Sequence, residues 1–462
     1  MLARFAVFVV AIAALAAPAF AFADTIGAVG VNDIRSDGIL VPNAAWNGPT
    51  DLGMAAAAGV QLYRGRIQLN CVDPGHSGIF DFTSPSASCG GVSYDALVGS
   101  LAAHDMTLLP VLINFSGTTP QPPTADGAAG SPTIAEFAAF AAAAVGRYGP
   151  TGTFWPTCGC TPHPIDAWEI WNEENNGFWW DGDASATDYA TVFAATRAAL
   201  RGVDPQARAV VGGLVFGAAG QSSFVPPVHM IAALTATNAN AFDAVAIHPY
   251  TDANGASAAQ LASDTLALVR RVAAQVTSAT GPAATGAPRQ QIWITEMGWS
   301  SASAAPDTIA GGLQTFFSLL DAGARAQYSV GPVLWYDLRD SNTLSTPDDQ
   351  LGLRLTAPDG SDAGPKPAWS AFSAAAQQEG TIQLPAALAD SGPYVPRAAA
   401  ASVSPKTAAS TGSSGPHTRA SSKPITTRAV CRKATKHHRK HRCVRKRKRH
   451  AAKKARRPAV IQ

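Results

Sequence analysis

The sequence predicts an α/β fold, a (β/α)8 TIM barrel with a disordered basic C-terminal tail, and three observations carry that expectation. Between residues 24 and 378, short runs rich in Val, Ile or Leu recur eight times, most of them followed by Ala-rich helical stretches. The chain is 47% hydrophobic and 15% charged, which suits one core of roughly 250–350 residues. Its charge is divided. Of the 35 Lys and Arg, 20 lie from Arg397 onward with no acid among them, and the other 15 face all 32 Asp and Glu. The net charge of +3 therefore conceals an acidic body of net −17.

Residues 1–23 read as a signal peptide. Arg4 supplies the positive start, residues 5–15 an apolar run, and Ala21-Phe22-Ala23 a small-x-small cleavage site. The apolar run is short for a membrane span, so export with cleavage before Asp24 is expected, and no later stretch is suited to crossing a bilayer. Strands are expected at 26–32, 61–69, 107–114, 167–171, 209–214, 244–248, 291–295 and 332–336. Helical patterns occupy 134–148, 186–201, 258–279, 307–322 and 367–376. Alternation of this kind implies parallel strands with crossover helices. Eight such units imply closure into a barrel with long loops. An open doubly wound sheet should carry a glycine-rich phosphate turn after its first strand, and Gly27-Ala28-Val29-Gly30 is too sparse. The barrel domain is expected over 24–378, a transition segment over 379–397, and an Ala/Ser/Thr/Pro linker over 398–427. Residues 428–462, dense in Lys, Arg and His, hold too few apolar side chains for a core.

Six cysteines fall into local pairs: Cys71 with Cys89, Cys158 with Cys160, Cys431 with Cys443. Each pair could be a disulfide in an oxidising compartment. The run from Cys158 to His163 lacks zinc-ligand spacing, so no metal or other cofactor is expected.

Chemistry should lie at the C-terminal ends of the strands. Strand four ends in Trp171-Asn172-Glu173-Glu174-Asn175, and strand seven in Thr295-Glu296-Met297-Gly298-Trp299. Two glutamates on non-adjacent strands can face each other across the mouth. Glycosidic cleavage needs such a pair: one acid to protonate the leaving oxygen, one carboxylate to attack the anomeric carbon, about 5 Å apart for retention of configuration. Alternation along an extended segment separates Glu173 from its neighbour Glu174. Glu169 shares the facing of Glu173 and is expected inside the barrel, paired with Arg64 or Arg66.

On these motifs the chain, from about residue 26 to 369, resembles the clan A (β/α)8 glycoside hydrolases, most closely the family 39-like and family 5-like enzymes, in which W-N-E-x-N is common. The resemblance implies Glu173 as acid/base and Glu296 as nucleophile. It implies Asn172 at the sugar 2-hydroxyl, Arg64 supporting the nucleophile, and His248-Pro249-Tyr250 as the pair after strand six whose tyrosine bonds the nucleophile. Trp335 would floor the sugar subsite, with Trp299 also among the substrate-binding residues. Phe178, Trp179 and Trp180, after Glu173, suit either sugar stacking or a hydrophobic lid. The expected activity is hydrolysis of O-glycosidic bonds in a polysaccharide or oligosaccharide outside the cell. A transglycosylase on the same site, or a carbohydrate-binding barrel without catalysis, are the alternatives. The basic tail admits two readings, a binder of anionic cell-envelope polymers or a solvated disordered extension with no specific ligand, and nucleic acid, which an exported chain seldom meets, ranks below anionic glycans.

Overall fold

The computed structural model describes residues 25–32, 48–86, 89, 91–127, 130–217, 223–341 and 345–396. The expected signal peptide, linker and basic tail, with Cys431 and Cys443, lie outside the described residues. Eight parallel strands close into a barrel in chain order: β1 (Val29–Asn32), β2 (Leu62–Gln68), β3 (Thr107–Ile113), β4 (Ala167–Ile170), β5 (Arg208–Leu214), β6 (Ala244–Ile247), β7 (Gln291–Met297) and β8 (Val330–Tyr336), with β8 returning to β1. Around them run α1 (Gly48–Ala57), α2 (Tyr94–Ala102), α3 (Ile134–Tyr148), α4 (Ala186–Val203), α5 (Pro227–Thr235), α6 (Ala258–Thr280), α7 (Pro306–Leu319) and α8 (Pro367–Glu379).

Local sequence sets these boundaries. The helices α2, α3, α4 and α6 each begin at a Ser or Thr (Ser93, Thr133, Ser185, Ser257) whose hydroxyl accepts an N–H of the first turn. Pro227, Pro306 and Pro367 open α5, α7 and α8, where a missing N–H costs nothing.

Strand parity divides the core. Leu62, Leu109, Ala167, Val210, Ala244, Ala246, Trp293 and Leu334 form one cluster inside the lower barrel, and the larger cluster lies between strands and helices. The lower end is plugged. The expected first strand divides in two: Thr25–Gly27 leaves the barrel and pairs antiparallel with Thr381–Gln383, bringing Ile26 and Ile382 together beneath the inner cluster, beside Leu384.

The segment expected to be a transition is built into this closed end. Arg208 Nε donates to Pro385 O at 2.8 Å, Arg197 Nη2 and Arg201 Nη1 to Leu388 O at 2.9 and 2.7 Å, and Leu388 N to Asp243 Oδ1 at 2.7 Å. Tyr394 then packs against Gly281, which follows α6. Disulfides join Cys71 to Cys89 in the loop after β2, and Cys158 to Cys160 between α3 and β4.

Candidate active site

At the open end the inward positions turn polar. Arg64 on β2 is 3% exposed and holds three side chains at once. Its Nε and Nη2 take the two oxygens of Glu169 on β4 at 2.7 and 2.8 Å, Nη2 also reaches Asn172 Oδ1 at 2.7 Å, and Nη1 donates to Glu296 Oε1 at 2.6 Å. Glu169 is fully buried, and this forked pairing accounts for its charge. Of the two candidate arginines, Arg64 makes the pairing. Arg66 lies one inward step higher, its guanidinium 5.5 and 5.7 Å from the rings of Phe115 and Trp179.

Glu296 reaches the mouth through a break in pairing. The register between β7 and β8 shifts between Ile294 and Met297. Such an irregularity lets Thr295 and Glu296 both face the site, where a regular strand would send them to opposite sides. Tyr250 donates to Glu296 Oε2 at 3.0 Å. Burial works against the charge on Glu296, but His248, Arg64 and the Tyr250 hydroxyl outweigh it and hold the carboxyl below its usual value. Burial, then the neighbouring Glu296, push Tyr250 well up, so it remains a donor.

Glu173 arrives differently from the alternation expected. The strand stops at Ile170, and both Trp171 (φ 72°) and Glu173 (φ 47°) adopt the left-handed conformation. Backbone in this region is costly for residues other than glycine and concentrates at functional sites. The turn lifts Glu173 toward the mouth, buries Trp171 against Phe137 and Trp180, and leaves Glu174 fully buried beside Tyr189 and Gly212.

His248 stands between the two glutamates. Its Nδ1 is 3.0 Å from Glu173 Oε1 and 3.5 Å from Glu296 Oε2. Its Nε2 is 3.2 Å from the Thr295 hydroxyl, which donates to Glu169 Oε1 at 3.2 Å. Because that hydroxyl spends its proton on Glu169, it accepts from His248 Nε2–H, which turns Nδ1 to the carboxylates. Ligand atoms of Glu173, His248 and Glu296 all lie within 4.8 Å of one another, close enough to hold a metal ion, though Arg64 and Tyr250 already engage Glu296. A Cβ at Gly213 on β5 would collide with the His248 ring, so glycine there makes the room this arrangement needs.

The structure thus gathers Arg64, Asn172, Glu173, His248, Tyr250 and Glu296. Arg64 and His248, 3% and 1% exposed, hold other side chains rather than a wide face for a sugar. Trp299 and Trp335 are not brought to the mouth. They pack edge to face on each other 5.6 Å apart, with indole N–H groups spent on Thr251 and on Leu351 O. Strand parity is the reason: Leu334 points into the barrel, so Trp335 points out and Tyr336, half-buried, reaches the mouth. Tyr336 feels the charges of Asp337, Glu296 and Arg66. Trp179 and Trp180 are buried, and Phe178 of that loop is exposed. Thr295, Gly213, Tyr336 and Asn176 are neighbours of the site that sequence reasoning did not single out. Two consecutive glycines inside a strand were the available signal for Gly213.

No family model matches the chain, and no curated protein does. Solved structures do. A family 39 glycoside hydrolase from the gut symbiont Bacteroides cellulosilyticus WH2 aligns with a TM-score of 0.51 at 18% identity, over 77% of this chain and 64% of its own. A glucosidase from Croceicoccus marinus aligns at 0.52 and 16%, over 76% and 66%. A GH5 subfamily 18 protein from Bifidobacterium longum, in complex with Manβ1-4GlcNAc, aligns at 0.51 and 15%, over 76% and 78%. The chain spans just under two thirds of the length of the first two. What it shares with them is the fold, the closed barrel of family 39 and family 5 glycosidases.

Proposed function

We propose that this chain is a retaining glycoside hydrolase acting by double displacement, with Glu296 as nucleophile and Glu173 as acid/base. The observation that carries the reading is the pair itself: carboxylates from the ends of β4 and β7, with facing oxygens within 4.8 Å. Retention needs about 5 Å between the groups, whereas inversion needs roughly 6.5–9.5 Å to seat a water. The environments divide the labour. Glu296, held ionised by His248, Arg64 and Tyr250, attacks the anomeric carbon. Glu173 protonates the departing oxygen, then takes a proton from the water that releases the glycosyl enzyme. Asn172 has its Oδ1 occupied by Arg64, which leaves its amide nitrogen for the sugar 2-hydroxyl. Tyr336, not Trp335, is the aromatic at the sugar subsite.

The substrate is an oligosaccharide or polysaccharide met outside the cell. Two disulfides among the described residues support an oxidising compartment. The test is a panel of aryl glycosides with NMR detection of the first-formed anomer. Glu296→Ala should abolish turnover, and azide should restore a product of inverted configuration. A rescued product with retained configuration rules out Glu296 as nucleophile. The same panel with added sugar acceptors distinguishes hydrolysis from transglycosylation.

A further inference from the structure

The turn after β4 is organised by Asn176, a side chain the proposed reaction does not use. The backbone N–H of Phe178 donates to Asn176 Oδ1 at 3.1 Å. With its oxygen committed, the amide presents its nitrogen to Glu173, and Nδ2 donates to Glu173 Oε2 at 3.2 Å. The Asn176 backbone N–H donates to Glu173 O at 2.8 Å, bracing the left-handed turn. The titratable groups around Glu173 are His248 and Tyr250 from the end of β6, Glu296 from β7, Asp348 from the loop after β8 and Glu174 beside it. His248 lies against Oε1, and among the described residues only Asn176 donates to Oε2.

A carboxylic acid accepts well at its carbonyl oxygen and poorly at its hydroxyl oxygen. An N–H fixed on Oε2 therefore keeps that oxygen the carbonyl, so that the single proton shared with His248 Nδ1 passes to Oε1, toward Glu296, when Glu173 is the acid. We propose that Asn176 is a positioning residue for the acid/base step, selecting Oε1 of Glu173 as the oxygen that carries the proton. The inference rests on the assignment of Glu173 above.

Two variants test it in the full chain. Asn176→Asp keeps the oxygen that builds the turn, removes the donor and adds a like charge, and Asn176→Ala removes both groups. For a phenyl glycoside of the sugar the wild type accepts, kcat/KM falls about tenfold or more in each, and for the matching 2,4-dinitrophenyl glycoside, which needs little protonation, less than about twofold. The alkaline limb of the phenyl glycoside profile moves to higher pH, further in Asn176→Asp than in Asn176→Ala, because a lost donor and then an added like charge disfavour the carboxylate. Equal losses on both glycosides with an unmoved limb would mark a merely structural asparagine and overturn the proposal. A second measurement needs no substrate. Carbon-13 carboxyl NMR of glutamate-labelled protein, with the Glu173 resonance identified by its loss in Glu173→Gln, follows that group directly. Titration at higher pH in Asn176→Asp supports the link from Asn176 to Glu173 even if no glycoside is turned over, a result that would count against the glycosidase reading alone. An unmoved resonance overturns the proposal.

Discussion

Glu174 shows how narrowly side chains are sorted at the end of β4. It follows Glu173 directly, yet is fully buried, and burial holds its carboxyl well above the usual value. Between the ordinary carboxylate value and that raised one, the unfolded chain has released a proton that the folded chain keeps. Stability attributable to Glu174 therefore falls as pH rises through this window, and below it the two states bind the proton alike. Glu174→Gln removes the dependence. Its thermal midpoint, compared with wild type, should rise by a few degrees between about pH 4 and about pH 8. A constant difference across that range would show that the group is not held neutral. The neighbouring case, Trp335 against Tyr336, marks the limit of legibility at this scale. The glutamates, Asn172, Arg64 and the His248-Pro249-Tyr250 run could be found because each sits in a recognisable run of residues. The facing of Trp335 could not, because a run in which every residue from Val330 to Trp335 is buried carries no alternation to read. The left-handed turn under Glu173 and the irregular pairing under Glu296 were equally silent, being backbone features without a fixed residue signature.

Among the elements, the eight strands were legible from their apolar runs, and five of the eight helices from their periodicity. The segment after α8 was not. Residues 384–396 have neither helical nor strand periodicity, and their hold on the barrel comes from distant partners, chiefly Arg197, Arg201 and Arg208 donating to its carbonyls. Removing the segment leaves those guanidinium groups and Asp243 short of partners at the barrel floor, and opens the contact of Ile382 and Leu384 with the inner cluster. A chain ending at Gly380 should lose several kcal/mol of stability, through lost hydrogen bonds to buried guanidinium groups and lost apolar burial, and show a markedly lower thermal midpoint. An unchanged midpoint would mean that the strap is only laid on the surface. The earlier expectation of a transition segment came from composition, which does not register long-range hydrogen bonds to backbone carbonyls.

For the molecule as a whole, the division of charge makes a prediction that Glu173 and Glu296 do not. The 20 Lys and Arg from Arg397 onward have no acids among them, while the barrel is acidic. We propose that this tail binds polyanions. The full chain should be retained on a sulfated resin at low salt and released as salt rises, and a chain ending at Pro396 should pass through while keeping kcat/KM on soluble glycosides within about twofold. Retention of the shortened chain, or loss of its turnover, would overturn that division of roles. No helix among the described residues is long and apolar enough to cross a membrane. The strap has one more consequence. It carries the backbone to Tyr394 beside Gly281, on the plugged end of the barrel, whereas Glu173 and Glu296 open at the other. A handle joined directly after Pro396 in a shortened chain, whether a fusion partner, a bead or a sensor surface, is therefore attached at the rear of the barrel. Protein immobilised this way should keep its mouth clear for chains too long to diffuse around it.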